Sequence, residues 1–176
     1  MRPTLIGVTG KARSGKDTVA NFIVAAIGGY RYAFADPIRT MLNAGFGIDM
    51  GDPYWQERKE IPIVAFGKSP RQMMQTLGTE WGRQLVHEDV WLLLAQQKLL
   101  NTGSGMVISD VRFDNEARWV RKLGGIVVHV VREDAVPVNE HASEAGVTLG
   151  DSDKMIMNTG SLEELQKRVK NIVGVA

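Results

Sequence analysis

Short apolar runs alternate along this chain with segments whose apolar residues follow a helical period. We predict five β-strands from these runs: Leu5–Val8, Tyr30–Ala35, Met106–Arg112, Ile126–Val131 and Met155–Asn158. Strands that alternate with helices form a parallel sheet with right-handed crossovers, which binds its ligands at the carboxyl ends of the strands. The pattern therefore predicts an α/β fold built on a five-stranded parallel sheet.

A longer helix is predicted to begin at Ser69-Pro70, where serine can cap the helix and proline can occupy its first turn. On a helical projection one arc, which we predict to be core, holds Met73, Met74, Leu77, Trp81 and Leu85. A different face presents Arg71, Gln75, Gly78 and Gly82. This face suits a groove for a ligand, or else close packing of the helix against another backbone.

Composition places the chain among globular proteins. Its 176 residues are 44% hydrophobic and 23% charged, which suits one domain. The net charge is only +1, so we expect neither nucleic-acid nor membrane binding. With no cysteine, the chain forms no disulfide and uses no thiol. Because no apolar segment has the length of a signal peptide or membrane span, we expect a cytoplasmic protein.

The most informative stretch is Gly10–Thr18, which lies between the first strand and an apolar helix. Glycines at both ends let backbone N–H groups point at an anion, and the helix adds its own N-terminal donors. Lys16 supplies a mobile positive charge. This is the phosphate-binding P-loop pattern, except that Asp17 stands where the pattern has the serine or threonine that holds magnesium. The first hydroxyl follows at Thr18.

Other charged residues follow the predicted strands. Asp36 comes after the second strand, Asp110 and Arg112 end the third, and Arg132 follows the fourth. Acidic residues at such positions orient magnesium or its waters. Asp110 has a structural alternative, since it could pair with Arg112 or cap the next helix. His129, inside the fourth strand, is expected to be a satisfied structural residue.

Two long segments interrupt the alternation. One, within residues 37–88, is predicted to be a substrate-binding excursion. The other, residues 132–153, is predicted to be a lid, because long loops beside an active edge commonly close over substrate. Within it, His141 and Glu144 are either functional or ordinary solvated residues. Together with the P-loop, the acidic strand end and several arginines, these segments favour phosphoryl transfer, which relies on positioning and on charge stabilisation.

Five strings make the chain resemble the deoxynucleoside monophosphate kinases of tailed bacteriophages. They are Arg13–Thr18 with its Gly-Lys-Asp-Thr sequence, Phe34–Pro37, Arg71-Gln72 with Leu77–Glu80, Ser109–Phe113 with Asn115-Glu116, and His141–Glu144. The resemblance spans nearly the whole chain. It implies a P-loop three-layer sandwich of the nucleoside-monophosphate-kinase type, and transfer of the γ-phosphate of ATP to a deoxynucleoside 5′-monophosphate (dNMP) in nucleotide supply for phage DNA synthesis.

The resemblance also implies site residues. ATP and Mg²⁺ would be bound by Gly10, Arg13, Ser14, Gly15, Lys16, Asp17 and Thr18, with Asp110 as a further metal ligand and Asn158 and Gly160 beside the adenine. The monophosphate would be bound by Asp36, Arg39, Arg71, Gln75, Arg112 and Glu144, with Arg83 a weaker candidate. Lys16, Arg132 and Asp110 would be the catalytic groups.

Two alternatives remain open at this point. Another small-molecule kinase of the same fold, of the dephospho-coenzyme A or phosphomevalonate kinase type, would share the Gly-Lys-Asp loop. A non-catalytic nucleotide-binding module would bind ATP without transferring phosphate. The sequence leaves base preference and oligomeric state undetermined, with a homodimer as one option.

Overall fold

The computed structural model of the protein describes residues 4–132 and 146–174. The chain divides into two compact units, of which one combines residues 1–33 with 95–176 and the other contains residues 34–94. Among the described helices, none has both the length and the apolar character needed to cross a membrane.

The first unit contains a parallel sheet. Its strands are β1 (Leu5–Thr9), β2 (Tyr30–Tyr32), β3 (Met106–Ile108), β4 (Ile126–Val131) and β5 (Lys154–Met157). They lie in the order β2-β3-β1-β4-β5, and every neighbouring pair is parallel. The predicted five-stranded parallel sheet is therefore confirmed, although β2 and β3 end earlier than their apolar runs.

The helices that the described residues form are α1 (Lys16–Ile27), α2 (Asp36–Phe46), α3 (Pro53–Glu57), α4 (Pro70–Gln75), α5 (Val90–Thr102), α6 (Asp114–Lys122) and α7 (Leu162–Val173). A π-helical segment, Thr76–Val86, continues directly from α4.

The sheet of the first unit is covered on both faces. Ile6 and Val8 pack with α1 and α7 in a cluster that includes Ile23 and Val169, all nearly inaccessible to solvent. Gly7 points to the opposite face, where a Cβ would lie 3.3 Å from Val120 of α6. Alternation along β1 thus places helices on either side, which makes a three-layer sandwich.

The second unit has a small core of its own. Leu42, Ile48, Met50 and Met73 are buried together. Between α3 and α4 the chain forms an isolated antiparallel bridge that joins Ile63 to Lys68. Ser69 caps α4 as predicted, since its Oγ accepts the N–H of Gln72 while the Gln72 side chain accepts the N–H of Ser69.

The predicted core arc of the helix after Ser69 is wrong at its far end. Met73 is buried, but Trp81 is 42% exposed and Leu85 is 79% exposed. The projection assumed 3.6 residues per turn throughout, whereas the helix changes to π-helical hydrogen bonding at Thr76. Wider turns rotate each later residue away from the position that an α-helix would give it.

The predicted ligand groove beside Gly78 and Gly82 is also wrong. A Cβ on Gly82 would lie 2.3 Å from the Trp91 ring, and one on Gly78 would lie 2.9 Å from the end of Ile38. Trp91 is 3% exposed, and its Nε1 donates to the Gly78 carbonyl at 2.7 Å. The two glycines therefore allow close packing within the protein, which was the alternative prediction, since side chains of the protein occupy the space above them.

Candidate functional site

The loop between β1 and α1 has the backbone conformation of an anion cradle. Gly10 and Gly15 have φ values of 146° and 92°, and Arg13 is the only non-glycine among the described residues with a positive φ, at 62°. Gly15 immediately precedes α1, whose first residue is Lys16. Three left-handed residues around a helix N-terminus turn successive N–H groups toward one point, which suits a phosphate.

Two side chains lie within this loop. Lys16 Nζ donates to the Lys11 carbonyl at 2.7 Å. The side chain of Lys16 thus folds back over the P-loop, which precedes it in the sequence. Ser14 is 1% exposed, and its Oγ has no hydrogen-bond partner among the described residues. A buried hydroxyl without a partner is costly, so a bound phosphate oxygen would satisfy it.

Asn158, near the end of the sequence, forms a hydrogen bond with the backbone of the P-loop. Its side-chain Nδ2 donates to the Ser14 carbonyl at 2.7 Å, while its backbone N–H donates to Val131 at the end of β4. A Cβ on Gly15 would lie 2.3 Å from Asn158 Nδ2, so only glycine leaves room for this contact. Asn158 therefore contacts the P-loop backbone itself.

A cavity of about 400 Å³ opens beside this contact. It is lined by Gly15, Thr18, Arg132, Asn158, Thr159, Gly160, Ser161, Leu162 and Leu165. Five of these residues were predicted from the sequence to bind ATP or to act on it, and the structure brings them to one cavity in the first unit. Leu162 and Leu165 add an apolar side that the sequence analysis missed.

The turn that borders the cavity is braced by α7. Arg168 Nη1 donates to the carbonyls of Met157 and Thr159 at 2.6 and 3.0 Å. Ser161 and Glu164 form a capping box at the start of α7, since Ser161 Oγ accepts the Glu164 N–H and Glu164 Oε2 accepts the Ser161 N–H. These contacts fix the backbone at Gly160, which has a φ of 83°. Nothing in the local sequence around Arg168 marks it for this role.

Asp17 has a protein partner. Arg31, in β2, donates through Nη2 to Asp17 Oδ1 and through Nη1 to Asn21 Oδ1, the latter at 3.1 Å. Asp17 and Asn21 are four residues apart on α1 and so lie on the same face. The residue that departs from the general P-loop pattern is thus one half of an ion pair, which the sequence analysis did not anticipate.

The segment after β3 carries Asp110 and Arg112, both half-buried. The N–H of Val111 donates to the Val8 carbonyl at 3.1 Å, which places this segment beside the carboxyl end of β1. The start of α6 is capped by Glu116, whose Oε2 accepts the N–H groups of Arg112 and Phe113 at 2.6 and 3.1 Å. Glu116, with 2% exposure, thus caps the helix that Asp110 was considered to cap.

The magnesium site predicted at Asp17, Thr18 and Asp110 stays a prediction. No group of three His, Cys, Asp or Glu side chains in the described part of the chain could enclose an ion. Mg²⁺ typically keeps several waters and is held by one or two protein oxygens together with substrate phosphates. The Thr18 hydroxyl lies on the cavity wall and is an oxygen ligand of that kind. The carboxylates of Asp17 and Asp110 are the other two predicted ligands, and Arg31 already contacts Asp17 Oδ1.

Two of the three arginines predicted to bind the monophosphate in the second unit, Arg39 and Arg71, are paired with carboxylates. Arg39 Nη1 lies 2.7 Å from Asp36 Oδ1, and Arg71 Nε lies 2.5 Å from Glu60 Oε1. The Arg71 N–H also donates to the Lys59 carbonyl. Gln75 ends α4, and Arg83 donates to the Glu88 carbonyl at 3.1 Å.

A buried ion cluster includes Asp153, the last residue of the predicted lid, most of which lies outside the described residues. The Asp153 side chain is inaccessible to solvent and lies 2.5 Å from Arg121 Nη2 and 2.9 Å from His129 Nε2. Burial raises the pKa of Asp153, but hydrogen bonds from Arg121, the Gly150 N–H and His129 outweigh it and lower the pKa to about 2. The hydrogen bond to Asp153 in turn raises the pKa of Arg121.

This cluster fixes the chain before β5. Arg121 Nη2 also donates to the Thr148 carbonyl at 2.9 Å, and the Thr148 N–H donates to Asp114 at the same distance. Residues 148–153 are therefore attached to α6 at two points. The expectation that His129 is a satisfied structural residue is confirmed. His141 and Glu144 lie outside the described residues.

Comparison with known proteins identifies the family. A family model described as deoxynucleotide monophosphate kinase matches residues 4–58 and 63–169. The chain belongs to the deoxynucleotide monophosphate kinase family. Acanthamoeba polyphaga mimivirus has a relative that is 30% identical over 184 residues, covering 96% of this chain and 95% of that protein. The deoxynucleotide monophosphate kinase of Enterobacteria phage T4 is 28% identical over 238 residues, covering 97% and 99%.

Solved structures agree on the fold of this kinase. A Thermus thermophilus protein matches with a TM-score of 0.54 and 17% identity, covering 99% of this chain and 98% of that one. The dephospho-CoA kinase of Campylobacter jejuni matches with a TM-score of 0.51 and 13% identity, covering 97% and 95%. At such identity the likeness concerns the fold alone, and the nucleoside-monophosphate-kinase-like sandwich predicted from the sequence is confirmed.

Proposed function

We propose that this kinase transfers the γ-phosphate of ATP to the 5′-phosphate of a deoxynucleoside monophosphate, giving a diphosphate and ADP. Membership of the deoxynucleotide monophosphate kinase family supports this reaction. The observation that carries the donor assignment is the cavity at Gly15, Thr18, Arg132 and Asn158, which combines a P-loop with a cation and an apolar side. Both substrates of this class are cytoplasmic metabolites, so we place the reaction in the cytoplasm.

The donor would bind along this cavity. Its phosphates would accept hydrogen bonds from the N–H groups of the P-loop, and the buried Ser14 hydroxyl would gain the partner that it lacks among the described residues. The base would lie toward Asn158 and Gly160, where Leu162 offers an apolar surface. Arg132 would face the phosphate chain from the end of β4.

In phosphoryl transfer the protein contributes little covalent chemistry, so it accelerates the reaction mainly by placing positive charge near the transferring phosphate. Lys16 would leave the Lys11 carbonyl, 2.7 Å away, and donate instead to the transferring phosphate. Thr18 and Asp110 would hold magnesium, which would neutralise negative charge on the phosphates. Arg132 and Arg13 would stabilise the charge that spreads over the transferring group.

The monophosphate would be bound by arginines. In the second unit Arg39 and Arg71 are each already oriented by a carboxylate, and a planar guanidinium matches two phosphate oxygens at once. Asp36, Gln75 and Arg83 complete the set proposed in that unit, while Arg112 of the first unit and Glu144 stay predictions from the sequence. The reaction needs no protein nucleophile, because an oxygen of the acceptor phosphate itself attacks the γ-phosphorus of ATP.

The test is an ADP-release assay with ATP and each common dNMP, NMP and dephospho-coenzyme A. We expect release that depends on at least one dNMP. Turnover with dephospho-coenzyme A alone, or ATP binding without acceptor-dependent release, would contradict the proposal. A Lys16→Ala variant should lose about 100-fold or more in kcat while its KM for the dNMP changes little. Lys98→Ala, an exposed lysine of α5, is the matched control.

A further inference from the structure

Arg31 connects the edge strand of the sheet to the helix that follows the P-loop. It is the middle residue of β2 and its side chain lies at the surface. Its guanidinium contacts two side-chain oxygens of α1, the carboxylate Oδ1 of Asp17 and the amide Oδ1 of Asn21. The planar fork of arginine suits two acceptors one helical turn apart, whereas a lysine could not match both directions.

The position of Asp17 gives this contact a consequence for the proposed reaction. Asp17 follows Lys16 and lies in the first turn of α1, where the helix N-terminus would meet the phosphates of ATP. A carboxylate there repels a polyanion unless a cation offsets its charge. Of the described side chains, Arg31 is the one that forms an ion pair with Asp17.

The contact also orients the carboxylate. Arg31 engages Oδ1 and so holds Asp17 on the β2 side of α1, while Asn21 keeps the guanidinium from turning away. Three groups thus fix one another, although the Asp17 side chain is 75% exposed and would otherwise sample several rotamers.

We propose that Arg31 is a positioning residue for the phosphoryl donor, acting through Asp17 by holding that carboxylate in one orientation and offsetting its charge. The inference rests on the proposed function, in which the P-loop binds ATP. In this proposal Arg31 acts on the donor only through Asp17, without contacting either substrate. Its effect is therefore expected on donor binding and not on acceptor binding.

The test compares Arg31→Gln with Arg31→Lys. We expect Arg31→Gln to raise the KM for MgATP, and the Kd for a fluorescent ATP analogue measured without acceptor, by about fivefold to tenfold. The KM for the dNMP should stay within about twofold. Arg31→Lys should recover part of the loss, because it restores the charge without the fork. Arg118→Gln, an exposed arginine of α6, is the matched control.

A double-mutant cycle decides whether Arg31 acts through Asp17. In an Asp17→Asn background, Arg31→Gln should change donor binding by less than about twofold, because the partner that it orients has gone. An equal loss in both backgrounds would overturn the proposal. So would a purely structural result, in which the melting temperature falls while the Kd for the ATP analogue is unchanged.

The two proposals fail in different ways. If the wild-type kinase binds the ATP analogue but releases ADP with no dNMP, the proposed function fails, and the Kd values of the cycle still decide whether Arg31 acts through Asp17. If the wild-type protein does not bind the analogue, both proposals are wrong.

Discussion

Asn158 and Ser14 lie 144 residues apart in the chain, yet the Asn158 side-chain amide donates to the Ser14 carbonyl at 2.7 Å. The contact joins the end of β5 to the middle of the P-loop. A hydrogen bond to a loop carbonyl fixes the direction of that peptide unit, and so of the next N–H group in the cradle. The geometry of the phosphate-binding loop therefore depends on a residue near the far end of the sequence.

Replacing Asn158 should weaken donor binding. In Asn158→Ala the Ser14 carbonyl loses its partner, and we expect the KM for MgATP to rise by about tenfold, which corresponds to about 1.4 kcal/mol. Asn158→Asp should be worse, since an acceptor would then face the Ser14 carbonyl and add negative charge beside the phosphates. Steady-state kinetics with varied ATP measure both effects. Asn101→Ala, at an exposed asparagine of α5, should behave as wild type.

Glu60 should matter for the acceptor. Its carboxylate lies 2.5 Å from Arg71 Nε and orients a guanidinium that we propose binds the monophosphate. Glu60→Gln keeps an acceptor but removes the charge, so we expect the KM for the dNMP to rise about threefold to tenfold with the KM for ATP unchanged. Glu57→Gln is the matched control, because Glu57 is exposed and lies 3.7 Å from Arg58. Equal effects of the two substitutions would contradict the prediction.

Gly82→Ala should destabilise the second unit. The added Cβ would lie 2.3 Å from the ring of Trp91, which is buried and cannot move aside. Overpacking of this kind costs about 1–3 kcal/mol, so the melting temperature should fall by several degrees. Gly45→Ala in α2 is the control: a Cβ there meets nothing within 4 Å, and the change should be neutral or stabilising. A Gly82→Ala protein as stable as wild type would refute the packing argument.

Asp153 should make stability depend on acid pH. Its pKa is lowered from 3.8 to about 2 in the folded protein, so its contribution is fully present above about pH 4 and is lost as the pH falls toward 2. The shift corresponds to about 2 kcal/mol of unfolding free energy. Denaturant unfolding of the wild type and of Asp153→Asn should differ at pH 7 and converge near pH 2. Asp151→Asn, at an exposed neighbour, is the matched control and should be as stable as the wild type at pH 7.

The strands and the P-loop could be predicted because their signals are local. Ile126–Val131 is continuous apolar sequence, which fits a strand buried on both faces, and Gly10–Thr18 combines glycines with a lysine before a helix. The caps at Ser69 and Ser161 are also local, since each needs a partner only three residues away. In these places the residues that determine the geometry lie within one turn or one strand.

The remaining features depend on residues far apart in sequence. The sequence around Gly82 gives no sign that Trp91 packs against it. The sequence around Asp17 likewise gives no sign that Arg31 contacts it. The π-helical segment escaped prediction for another reason: its apolar spacing was interpreted with an α-helical period, and the period itself changes at Thr76. The ion cluster at Asp153 joins a helix, a strand and a loop that share no sequence signal.

The strand order has a consequence for how the chain acquires activity as it is synthesised. β1 pairs with β3 and β4, so Leu5 has no neighbour in the sheet until Met106 is made, and Ile6 lacks its second neighbour until Ile126 follows. Such non-local pairing is slow to form. The P-loop is completed later still, because Asn158 must arrive before the Ser14 carbonyl is held. A nascent chain stopped before β5 would carry the entire nucleotide-binding motif without the residue that shapes it.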